Sequence, residues 1–174
     1  MCRPRDDKPR REHRLACRNF SSHEVLLATH SVVGKTSAAA MQWYEIRSPN
    51  ATPVVFQQGI FAPGGDVDAW MGSIAMDKAG DIALGFSNSS STLFPSIEFT
   101  GRVPGDPKGA MHRSQGIKAG TGSETDPDGR WGDYTSMSID PVDGCTFWNT
   151  NEYFATTGTS WRTHLANFKF ARCK

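Results

Sequence analysis

Apolar runs rich in β-branched and aromatic residues recur along the chain, each bounded by polar or turn-forming residues such as Gly, Pro, Asp and Asn. Such runs favour extended strands, and the bounding residues make turns. One group of runs is "GSIAM" (72–76), "IALGFS" (82–87), "PSIEFTGR" (95–102) and "MHRSQGIK" (111–118). Another is "YTSMSI" (134–139), "CTFWNTNEYF" (145–154) and "WRTHLANFKF" (161–170). A fainter first group is "RLACRNF" (14–20), "EVLLATHSVV" (24–33), "AAMQWYEIR" (39–47) and "PVVFQQGIF" (53–61). "DKAGD" and "DPVDG" read as tight turns, with Gly80 free to take positive φ.

The runs repeat as units. The segment from Gln57 and the segment from Ser114 share one order of features: a Gln-Gly-Ile strand, a Gly- and Asp-rich loop, a Trp, a strand ending in Asp, a turn and another apolar strand. The offset grows from 57 residues at Gln58/Gln115 to 61 at Trp70/Trp131 and 63 at Asp77/Asp140, so the insertions fall in loops. Strands in fours, repeating at about 60 residues, predict an all-β fold: a β-propeller of about three four-stranded antiparallel blades. The blades span about 14–62, 70–118 and 131–173. The last has only three strands, so it lacks its outer strand. Three blades do not close a ring, which usually takes 4 to 8. The expected architecture of 14–174 is therefore an incomplete ring, to be completed by further blades of a longer protein or by other copies.

Seventeen Gly and ten Pro suit a turn-rich chain. A net charge of +1 gives no long-range field toward nucleic acid or a membrane, and no run of 18 apolar residues could span a bilayer. Residues 1–13 are basic and polar, and read as a solvated, disordered arm. They lack the apolar stretch of a signal peptide, so no secretion signal is expected within this chain.

Four cysteines are present. If the last two strands form a hairpin in which facing residues sum to about 318, Trp148 opposes Phe170, Thr150 opposes Phe168 and Cys145 opposes Cys173. Directly opposed Cβ atoms lie about 4.5–5.5 Å apart, close enough to bridge. A Cys145–Cys173 disulfide is predicted, the alternative being two free, half-buried thiols. A bridge implies an oxidising compartment. Cys2 and Cys17 show no evident partner, and the spacing is unlike a zinc site.

"VVGKTS" (32–37) has the end of a phosphate-binding loop but Thr29 where that motif needs Gly, so it reads as a hairpin loop. Asn19, Asn50 and Asn88 open N-x-S/T sequons. Asp140, which matches Asp77, is expected to bond the amides of its turn.

In a four-stranded meander, the loops leading into the first strand and those joining strands two and three share one end of the blade. That gathers Asp66, Asp68, Trp70, Glu124, Asp126, Asp128, Arg130, Trp131, Asp133 and Tyr134. Asp66, Asp68, Glu124, Asp126 and Asp128 are candidate ligands for Ca²⁺, which takes 6–8 oxygens; the alternative is that Asp and Gly simply make the turns. Trp70, Arg130, Trp131, Asp133 and Tyr134 are candidate ligand-binding residues, with the two Trp equally readable as packing residues. Asp133, Tyr134 and Glu152 are candidates for glycoside hydrolysis, which needs paired carboxyls or a Tyr nucleophile. Only Arg130 and Arg162 stand near them to hold an acidic sugar.

"WMGSIAMDKAGDIALGFS", "PSIEFTGR", "WGDYTSMSIDPVDGCTFWNTNEY" and "WRTHLANFKFARC" resemble the C-terminal region of a family of large, uncharacterised, secreted bacterial proteins with a sialidase-like β-propeller of six or seven blades. The resemblance runs from about Arg14 to Cys173. It implies the propeller, an exported parent (extracellular or periplasmic) and the Cys145–Cys173 pair; it transfers no activity. The chain departs from that pattern in lacking a signal peptide and earlier blades, and in having Cys17 where an aromatic is expected. "SIDPVDGCTF" is loosely similar to the sialidase Asp-box, a fold element remote from the catalytic centre.

The functional expectation is a non-catalytic propeller segment that binds a carbohydrate, a protein surface or another copy through acidic loops at one end. The alternatives are part of a sialidase-like hydrolase completed by missing blades, and an inactive fragment. No cofactor beyond Ca²⁺ is implied.

Overall fold

The computed structural model describes residues 15–174 apart from Ser37 and Asp133. The predicted basic arm and the candidate Asp133 therefore lie outside the described residues.

Eleven strands and no helix make three antiparallel sheets among the described residues. The first holds β1 (Ala16–Asn19), β2 (Glu24–Val33), β3 (Ala39–Arg47) and β4 (Val54–Phe61) in that order. The second holds β5 (Asp68–Met76), β6 (Ile82–Ser89), β7 (Ser96–Arg102) and β8 (Gln115–Lys118). The third holds β9 (Ser136–Ile139), β10 (Phe147–Tyr153) and β11 (Arg162–Phe168), ordered β11-β10-β9. Every sheet is a meander of sequence neighbours, in the groups of four, four and three that the apolar runs and their repeat predicted.

Burial explains why β6 looks unlike the other strands. Its first seven residues are buried, because it is sandwiched between the other two sheets. Its two faces differ in size. Ile82, Leu84 and Phe86 join Val25, Leu27, Met41 and Trp43 in one core toward the first sheet. Toward the third sheet it presents Ala83, Gly85 and Ser87. Ala83 packs with Met137 and Phe147. A Cβ at Gly85 would stand 2.5 Å from Asn149 Nδ2, so a larger residue there would force those strands apart. Ser87 Oγ donates to Asn151 Oδ1 at 3.2 Å, a polar contact inside this second junction.

The first strands of the three sheets are neighbours. β5 contacts β1 on one side and β9 on the other. Ala16 and Arg18, Ala75 and Met76, and Met137 and Ile139 line one shared groove of about 390 Å³. Side chains also tie β5 to β9 and the residue before it: Ser73 Oγ accepts from the amide of Met137 at 2.8 Å, and Thr135 Oγ1 donates to the carbonyl of Met71 at 2.6 Å.

The last hairpin differs from its predicted register. Phe147 faces Phe168 and Trp148 faces Asn167, so facing residues sum to 315 rather than 318. Thr150 accordingly faces Leu165, not Phe168. The Cys145–Cys173 disulfide nonetheless forms, with Cα atoms 5.6 Å apart. The reason is a turn: beyond β11 the amide of Cys173 donates to the carbonyl of Phe170 at 3.1 Å, which doubles the chain back by the missing residues. There is no free cysteine among the described residues, so Cys17, left partnerless by the sequence, is not a free thiol.

At "VVGKTS", Val32 and Val33 end β2 and a hairpin connection to β3 follows as expected, with Gly34 N donating to Ala38 O at 2.7 Å. Asn88 is 1 % exposed and offers no room for a glycan, whereas Asn50 is exposed and donates to Glu24. Among the described residues no helix is long and apolar enough to cross a membrane.

Candidate functional site

The loops predicted to share one end of the sheets do so. Asp66, ahead of β5, accepts from Ser91 Oγ of the β6–β7 loop at 3.2 Å. The β8–β9 segment is laced to the β10–β11 loop: Thr121 N donates to Phe154 O at 3.0 Å, Thr125 N to Gly158 O at 3.0 Å, and Ser123 N to Thr157 Oγ1 at 3.1 Å. Glu124 and Gly158 form a parallel bridge. The same lacing repeats in the second and third sheets because the same meander places those loops side by side.

At this end a cleft of about 400 Å³ opens beside β10. Asp126, Arg130, Trp131, Tyr134 and Glu152, all singled out from the sequence, line it. The sequence missed Thr150, Asn151, Trp161 and Thr163. Trp161 was within reach of the argument: it stands one residue beyond the hairpin loop assigned to that end. Thr150, Asn151 and Thr163 are strand residues with no signal of their own.

Glu152 shapes the site. Its Oε2 accepts from Gly132 N at 2.7 Å, and Gly132 needs φ of +48°, so this bond fixes a left-handed kink in the loop. The kink turns Trp131 inward. The Trp131 indole donates to Ser87 Oγ at 3.0 Å, meets Trp70 edge-on at 5.7 Å and packs against Phe154 at 5.5 Å. Trp70 and Trp131 thus join the second and third sheets, and Trp70 does not line the cleft. Tyr134 and Trp161, at 57 % and 63 % exposure, leave their rings open to solvent at its rim. Asn151 Oδ1 receives Ser87 Oγ and the amide of Glu152, while its Nδ2 is buried without a partner.

The candidate calcium ligands are spread over two loops and engaged in shaping them. Asp68 accepts from Ala39 N at 2.6 Å, fastening β5 to β3, and Asp126 caps the amide of Asp128 at 3.0 Å. Burial, and secondarily the charge of Asp126, push the Glu124 carboxyl up. Among the described residues no group of three or more His, Cys, Asp or Glu is placed to hold a metal ion.

Comparisons of the chain with protein-family models, with curated proteins and with solved structures found no match.

Proposed function

We propose that the chain is part of a β-propeller in an extracellular protein and binds a saccharide in the cleft beside β10. The propeller reading is supported by the groove that β1, β5 and β9 share, because the first strands of successive blades line a propeller's central channel. The extracellular reading is supported by the Cys145–Cys173 disulfide, a bond that persists in oxidising compartments.

The observation that carries the binding reading is the composition of the cleft. Two solvent-facing aromatic rings, Tyr134 and Trp161, flank Thr150, Asn151, Glu152, Thr163 and Arg130. Flat apolar rings beside clustered donors and acceptors suit a ligand with apolar C–H faces and many hydroxyls. Binding is favoured over hydrolysis because Glu152 already holds the Gly132 amide and serves the loop.

Oligosaccharide-array screening followed by calorimetry tests this. A saccharide should bind, and Trp161→Ala and Tyr134→Ala should each weaken it about tenfold, the loss of roughly 1.4 kcal/mol. Both rings are exposed, so the melting temperature should hold. No saccharide bound, or undiminished affinity in both variants, would reject the reading.

A further inference from the structure

At the opposite end of the sheets, between the first and second, lies a separate pocket of about 260 Å³. Three cationic side chains line it, Arg47, Arg102 and Lys108, against one carboxylate, Glu45. Glu45 is 2 % exposed and its charge is already answered. Its Oε1 accepts from Arg47 Nε at 2.8 Å and its Oε2 from Gln57 Nε2 at 2.5 Å.

Arg102 has no carboxylate as a hydrogen-bond partner; Asp106 and Glu45 act on its charge only through space. Arg102 is 3 % exposed, yet its guanidinium donates only to main-chain carbonyls: Nε to Ala110 at 3.2 Å and Nη2 to Asp106 at 2.9 Å and Pro107 at 3.5 Å. Nη1 makes no hydrogen bond and keeps some exposure to solvent, and Arg102 is one of the residues that line the pocket. The carboxylate nearest in sequence, Asp106, is held by His112 Nε2 at 2.8 Å and Val103 N at 2.7 Å. Lys108 Nζ lies 3.8 Å from the centroid of the Phe56 ring, over which the Arg47 guanidinium also lies at 3.3 Å. The Phe56 ring thus draws two like charges to the lining of one pocket, and an anion in that pocket would offset their repulsion.

The geometry points to a binding site for a small tetrahedral oxyanion, a phosphate or sulfate group, held by Lys108 Nζ, Arg102 Nη1 and the outer nitrogens of Arg47. Guanidinium forks match such oxygens, and a recessed cation is worth more there than on an open surface. Burial lowers the proton affinity of the Arg102 guanidinium, so a bound anion relieves an existing cost.

The test is thermal melting and calorimetry with inorganic phosphate and with sulfate, each against chloride at equal ionic strength. Either oxyanion should raise the melting temperature and bind one per chain; binding of one alone tells which ester the site takes. Lys108→Glu, at an exposed position, should weaken binding at least tenfold without unfolding the chain. Lys35→Glu, an exposed lysine at the other end of the sheets, should leave it unchanged. No effect beyond chloride, or equal loss in Lys35→Glu, overturns the proposal. Saccharide binding in the β10 cleft is independent of either outcome.

Discussion

The turns β5–β6 and β9–β10 are repeats of each other in sequence and lie against each other, Lys78 N donating to Gly144 O at 2.8 Å. Each opens with an aspartate that gathers the turn's amides. Asp77 Oδ1 accepts from Ala79 and Asp81 at 2.8 and 3.0 Å, and Asp140 Oδ1 from Val142 at 2.8 Å. Their second acids behave oppositely. Asp81 is fully buried, neither of its oxygens has a hydrogen bond, and Arg172 Nη1 approaches only to 3.5 Å. Burial first, then the charge of Asp77, push its carboxyl up to about 6. Asp143 accepts from the amides of Thr146 and Cys145 at 2.9 and 2.7 Å and from Thr146 Oγ1 at 2.7 Å, which hold it down at about 2. Spacing within a turn fixes where a carboxylate sits; what packs over the turn fixes its charge. Asp81 heads the strand sandwiched on both faces, whereas Asp143 sits over the outermost sheet.

The largest effect is expected from the bond that fastens one of these turns. Cys145 ends the β9–β10 turn, and Cys173 follows Arg172, the cation nearest Asp81. Cys173→Ser paired with Cys145→Ser opens a loop with a separation of 28 residues, which costs about 3.5 kcal/mol on the chain-entropy estimate. Urea unfolding should record that loss. It should also move the Asp81 midpoint upward, because Arg172 is released. An unmoved midpoint would mean that Arg172 contributes nothing to it.

A smaller gain should follow from Asp81→Asn. A group whose folded value lies above its ordinary 3.8 contributes stability that is full below about 3.8 and lost as pH rises through about 6. The native chain should therefore lose stability between pH 4 and 6. The Asn variant should show a flatter profile and be more stable at pH 8, on the order of 1 kcal/mol. A variant less stable at pH 8 would show that Arg172 repays the buried charge.

Much of the fold was legible because its signals are local. The runs "EVLLATHSVV" and "AAMQWYEIR", though the faintest group, matched β2 and β3 to the residue, since β-branched and aromatic residues between turn signals favour strands. The register of β10 on β11 was not legible. It depends on how many residues the loop from Phe154 to Trp161 and the turn at Phe170 consume, and Phe154 is drawn into the core by Trp131 from another sheet. The cleft was half legible, because loop residues could be assigned to one end by topology alone. The cationic pocket was not: Arg47, Arg102 and Lys108 meet only when the β7–β8 loop folds over β4, as Gly109 N donating to Gln57 Oε1 at 3.2 Å marks.

The smallest effect sharpens the contrast from its other side. Asp143 has a depressed folded value, so its contribution is present above about 3.8 and lost as pH falls through about 2. That is the reverse of Asp81. Asp143→Ala leaves the amides of Cys145 and Thr146 without their acceptor, and should lower the melting temperature by a few degrees at neutral pH. At pH 2 the gap between variant and native chain should narrow, since the native carboxyl is then about half protonated and its bonds weakened. An equal gap at both pH values would mean that Asp143 acts through neutral hydrogen bonds alone, and the two turns would then differ in burial but not in the charge state of their second acids.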